Sequence, residues 1–107
     1  MNLSALFGTN AAVAGTTLTI DLGELATAHG FDGAIASITP GQIFAMLMMQ
    51  AKSTTAEKTT DPTYGVTVES GFDSLAIRGT ASHIATGFTV NVYSPNPVAT
   101  LDPDTVI

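Results

Sequence analysis

Charge is scarce in this chain, and that scarcity limits the folds open to it more than any local motif does. Of 107 residues, three are Lys or Arg and nine are Asp or Glu, while 45% are hydrophobic. A folded chain of 10.9 kDa exposes roughly 5,600 Å², so each charge must serve about 470 Å² of surface. Soluble surfaces usually carry about 25–35% charged residues. Polar cover here falls to hydroxyls, chiefly the 17 threonines. Two arrangements satisfy that arithmetic. Either a Thr-rich β surface faces water, or much of the surface faces neighbours in an assembly.

The length allows one hydrophobic core, so residues 1–107 are read as a single domain. Within it the composition suggests an N-terminal arm (1–16), a core (17–94) and a C-terminal arm (95–107). A net charge of -6 and a pI near 4.3 argue against nucleic acid, which needs a basic footprint. The absence of cysteine excludes disulfides, thiol catalysis and Cys-ligated zinc. The longest apolar run, Ile43 to Met49, falls far short of the ~20 residues that span a bilayer, and no membrane partner is expected. The first Lys or Arg is Lys52, so no basic n-region precedes the small-residue run Ala11-Ala12-Val13-Ala14. The expectation is synthesis in the cytoplasm without export.

The strongest local signal is Thr39-Pro40-Gly41-Gln42. Thr as N-cap, Pro at the first helical position and Gln at the third make a capping box. Ile43, Phe44, Leu47, Met48 and Ala51 then recur at helical spacing, so the main helix is placed at about 40–53. With Met46 and Met49 added it is apolar on nearly all sides, and is either buried on most faces or meets another subunit. A shorter helical turn is expected from Asp21 to His29, stopped by Gly30. The stretch 31–38 is ambiguous between loop and strand.

Elsewhere the pattern is β. Thr17 to Leu22 alternates, with Leu18, Ile20 and Leu22 directed to the core. Residues 65–69, 75–79 and 86–93 also alternate, with turns at Ser70-Gly71 and Gly79-Thr80-Ala81-Ser82, and an antiparallel meander follows. After Tyr93, three prolines impose extended chain. The fold class is therefore α+β: a small antiparallel sheet or sandwich, one main helix, and extended arms at both ends.

No residue pattern specifies chemistry. His29 and His83 are the only candidate bases near neutral pH. His29 lies three residues before Asp32, which would orient it, but no motif singles out a nucleophile. Asp102-Pro103-Asp104 offers two carboxylates with no third ligand. No catalytic residue, cofactor or metal site is assigned. The lone arginine, Arg78, faces away from Ile77, and either pairs with Glu69 or Asp73 across the strands or reaches a neighbour's carboxylate.

Two segments, Val68 to Gly79 and Phe88 to Ser94, look like strand pairs of small virion proteins. The whole chain is short, cysteine-free, acidic and rich in Thr, Ala and Gly, with arms around a β core. It resembles the small virion structural proteins of tailed bacteriophages. That resemblance implies a capsid decoration (cement) subunit, or else a tail or baseplate piece, located in the virion after assembly in the host cytoplasm. It implies as partners other copies of the chain and a capsid or tail protein. The expected contacts are the apolar arm residues Leu3, Leu6, Phe7, Val98, Leu101, Val106 and Ile107, with Arg78. A secreted or cell-surface adhesive β module is the alternative of a different class.

Overall fold

Two capped helices organise the body of the chain, seen here in a computed structural model that describes residues 1–96 and 100–107. The helix α3 (Pro40–Thr55) starts at the expected capping box. Gln42 N donates to Thr39 Oγ1 at 3.2 Å, and Thr39 N donates to Gln42 Oε1 at 2.9 Å. Both halves are present, so two otherwise unpaired amides are satisfied reciprocally. The helix α2 (Leu22–His29) is capped by Asp21, whose Oδ1 accepts from Glu24 N at 3.1 Å, and it ends at Gly30 in the left-handed conformation. A short helix, α1 (Ser4–Phe7), precedes both and packs along α3.

The core sits where the three helices meet the first strand of the second half. Leu25 and Ala26 of α2 are buried against Met46 of α3, with Ile20, Leu22, Phe31, Ile38 and Leu47 around them. Farther along α3, Ala51 and Thr55 are buried, as is Val68 of β3 (Val66–Ser70). The helical stripe is wider than expected: Met46, off the expected face, is buried, whereas Phe44 is 61% exposed. The core is thin. Of the six buried apolar residues among those described, Ala5, Ala26 and Ala51 are alanines, and each contributes little burial.

The strands form three two-stranded antiparallel sheets, so the α+β class holds while a sandwich does not arise among the described residues. Residues 12–14 (β1, Ala12–Ala14) are not extended arm; they pair with β2 (Thr17–Thr19) across Gly15-Thr16. This hairpin leans outward, leaving Leu18 exposed instead of core-facing. Residues 31–38 hold no strand but a single 3₁₀ turn at Ile35–Ser37.

The expected meander is replaced by nested pairing. β3 pairs with β6 (Phe88–Val92), and β4 (Ser74–Arg78) pairs with β5 (Ala81–Ala85). The register explains the geometry: Ser70 opposes Phe88 and Ser74 opposes Ala85, so residues 71–73 face only 86–87. One extra residue on one arm is a bulge, which bends a ribbon and raises its twist. Gly71 N donates to Gly87 O at 2.8 Å, and Gly87 N donates to Asp73 Oδ1 at 3.1 Å, fixing the bend. A side chain at residue 87 would collide with the Phe72 carbonyl, which is why glycine stands there.

β3 and β6 lie on the body, because β3 packs on α3. Beyond the bulge, β4 and β5 continue as a finger about 17 Å long. Its tip is the two-residue turn Gly79-Thr80, with Gly79 at φ +66°. Both hairpins thus turn on Gly-Thr, with glycine at the first central position, the pattern of a type II′ turn.

Both ends of the chain are bonded to the body. The Met1 ammonium donates to Thr63 O at 2.7 Å. Ile107 N donates to Tyr93 O at 3.1 Å, and Tyr93 N donates to Gly65 O at 2.9 Å, so the final residues lie beside the base of the ribbon.

Candidate interaction surface

The finger carries its apolar side chains on one face and shows them to solvent. Strand alternation with the observed register puts Leu75, Ile77 and Ile84 on the same side, with Leu75 directly opposite Ile84. They are 69%, 77% and 69% exposed. Phe72, at the bulge, is 97% exposed. Contiguous exposed apolar groups of this size mark interaction sites more often than isolated ones do.

A second apolar feature lies on the body. Between α1, α3 and the β3–β6 pair runs a groove with a volume of about 170 Å³. Leu6, Phe7, Phe44, Met48, Val68 and Val90 are among the side chains that line it. It forms because α1 is only one turn long and cannot cover the whole apolar side of α3. Phe44 and Val90 stand exposed at its rim.

Around these features polar groups serve the fold. His29 Nε2 lies 2.8 Å from Gln50 Oε1, and Gln50 Nε2 donates to Ser4 O at 3.1 Å. An amide oxygen only accepts, so the proton is on Nε2 and the chain of bonds ties α2 to α3 to α1. His29 is therefore oriented by Gln50, not by Asp32. Thr54 Oγ1 donates to Ala5 O, a further link between α3 and α1. Thr55, fully buried, donates to Ala51 O at 2.7 Å and accepts from Val68 N at 2.8 Å. Thr67, equally buried, shares a 2.9 Å bond with the Tyr93 hydroxyl.

Two carboxylates are held below their ordinary pKa by bonds that favour the charged form. For Asp21 the main cause is the Glu24 amide, followed by the Asn10 side chain. For Asp61 it is the Thr63 hydroxyl, then the Thr63 amide, with Lys58 adding a smaller attraction. Each closes a local turn. Glu24 in turn accepts from the amides of Thr9 and Asn10, pinning the loop after α1 to α2. Asp102 accepts from Asp104 N at 3.0 Å, so this pair of aspartates forms a turn. Among the described residues no group of three His, Asp or Glu side chains gathers at metal-binding distance. No helix there is long and apolar enough to cross a membrane.

The residues expected at interfaces fall in separate places. Leu6 and Phe7 come together in the groove, with Leu3 half-buried just before α1. Val106 is half-buried and Ile107 lies at the base of the ribbon, while Leu101 is exposed. Val98 lies outside the described residues. Arg78 occupies the fingertip opposite Ala81, whereas Glu69 opposes Thr89 on the body and Asp73 bonds Gly87. At roughly 3.3 Å per residue, Glu69 is about 30 Å away along the strand and Asp73 about 16 Å. That spacing leaves Arg78 free to meet a neighbour. Sequence reasoning missed Phe72, Leu75, Ile77 and Ile84 as surface groups. The available signal was Phe72 itself, an aromatic set between Gly71 and Asp73 in a turn. Compared with protein-family models, with curated proteins and with solved structures, the chain has no match in any of the three.

Proposed function

We propose that this chain is a non-enzymatic structural subunit of a viral particle, a capsid decoration subunit of the tailed-phage type. The observation that carries the reading is the finger: a bent ribbon presenting Phe72, Leu75, Ile77 and Ile84 to solvent. Burying a large apolar side chain is worth about 1.5–3 kcal/mol. A free monomer forgoes that gain, whereas a subunit seated among neighbours collects it. Repetition over a shell multiplies a modest contact by copy number. The low charge density belongs to the same economy, since interface cores are depleted of charge.

The partners in this reading are other copies of the chain and a shell protein, with neither nucleic acid nor membrane involved. The finger takes the role first expected of the terminal arms, because Met1 and Ile107 are bonded to the chain's own body. The test is sedimentation of the purified chain with expanded tailed-phage heads lacking their decoration, read by gradient position and band stoichiometry. Comigration in a fixed ratio is expected, and a Leu75→Ser/Ile77→Ser double variant should lose it. A chain that stays at the top of the gradient with every head tried sinks the reading.

A further inference from the structure

We propose that Phe72 of one copy seats in the apolar groove of a second copy, so that the chain associates head to tail. The inference rests on the particle reading and names the first partner of the subunit: another molecule of this chain. Three observations select that occupant.

The first is fit. The groove, at about 170 Å³, compares with the roughly 150 Å³ apolar cavity that takes up benzene in an engineered protein. A phenyl ring is the right size. Phe72 does not fill the groove of its own chain, being 97% exposed. The bonds from Gly71 to Gly87 and from Gly87 to Asp73 hold its backbone in place, so little ordering cost remains on docking.

The second is charge. Residues 71–87, the finger with its bulge, contain Asp73 and Arg78 and carry no net charge, so the rest of the chain carries the whole -6. Two acidic bodies repel, whereas a neutral finger laid on an acidic body is not repelled. This favours finger-to-body contact over body-to-body contact.

The third is area. The chain exposes 7309 Å², which exceeds the roughly 5,600 Å² of a compact monomer of its mass by about 1,700 Å². A head-to-tail subunit makes two contacts, one through its finger and one through its groove. At about 800 Å² per partner in a standard interface, the two together account for about 1,600 Å². Because the two surfaces differ, the contact is heterologous and closes into a ring or extends as a helical filament.

The experiment uses the full-length chain and light scattering coupled to size exclusion over a range of concentrations. Wild type should form a species larger than a monomer. The Phe72→Ser variant, which lacks the ring, and the Val90→Glu variant, which places a charge at the groove rim, should each weaken self-association by about 30-fold or more. An equimolar mixture of the two should form a dimer and no more, since each pair holds one intact Phe72 and one intact groove. The chain has no tryptophan, so the Phe72→Trp variant reports directly: its emission should shift to shorter wavelength as concentration drives assembly. A wild type that stays monomeric, a Phe72→Ser variant that assembles normally, or a mixture that stays monomeric overturns the inference. Those outcomes leave sedimentation with phage heads to decide the particle reading separately.

Discussion

Single side chains in this protein do more structural work than its thin core would suggest, and Thr55 shows how. Its hydroxyl is fully buried at the end of α3, donating back to Ala51 O and accepting from Val68 N. It is the only polar bridge described between the helix end and the first body strand. Replacing it with the near-isosteric Thr55→Val keeps the volume but leaves the Val68 amide buried without an acceptor. Such an orphan costs about 1–3 kcal/mol. Chemical denaturation should therefore show Thr55→Val destabilised by that amount, while Thr55→Ser, which keeps the oxygen, retains most of the stability. Equal stability of the two variants would mean that the methyl contacts, not the bond, hold the junction. None of this was legible in the sequence. Thr55 lies past the expected helix end at about 53, in a polar, Thr-rich stretch that reads as an exposed connection. Only the strand folded against it, thirteen residues later, gives the hydroxyl its partner.

At the scale of elements, legibility divides by range. Both longer helices could be read because their signals are local: the Thr39–Gln42 box and the Asp21 cap lie within one turn of what they stabilise. The strands were mostly found, yet their pairing was not, since register depends on a distant partner and on the bulge at 71–73. The start of β5, Ala81-Ser82, was read as part of a turn and His83-Ile84-Ala85 was given no strand, because the segment carries one large apolar residue. The signal that would have found it is the Gly-Thr pair, which turns both hairpins. The nested pairing also sets local stability. A two-stranded ribbon is marginal in water on its own. β3 is packed on α3, whereas β4 and β5 contact chiefly each other. Hydrogen exchange on the monomeric Phe72→Ser variant should therefore find fast-exchanging amides across 74–85 and protected ones in β3. In assembled wild type the finger amides should slow. Equal protection of finger and body strands in the monomer would show that the finger is as stable as the body without a partner.

The whole molecule is less compact than its length requires, and the finger is one of the parts that project from it. Its radius of gyration is 15.8 Å, against about 13 Å for a compact domain of this length. The charge scarcity left open whether the surface faces water or neighbours, and it did not show which apolar groups are exposed, because exposure is set by the bend at Gly71 to Asp73 and not by composition. This separation of body and finger makes a decisive deletion possible. Gly71 and Gly87 already face each other, with Gly71 N bonded to Gly87 O. Asn-Gly in place of residues 72–86 would therefore close β3 onto β6 by a two-residue turn of the preferred kind. The helices, the buried residues Leu25, Met46, Thr55 and Val68, and both terminal bonds lie outside the deleted segment. The shortened chain should unfold cooperatively and scatter as a compact monomer. It should also lose self-association and comigration with phage heads together. A shortened chain that still assembles would place the interface on the body. One that fails to fold would show that the finger supports the core from which it projects.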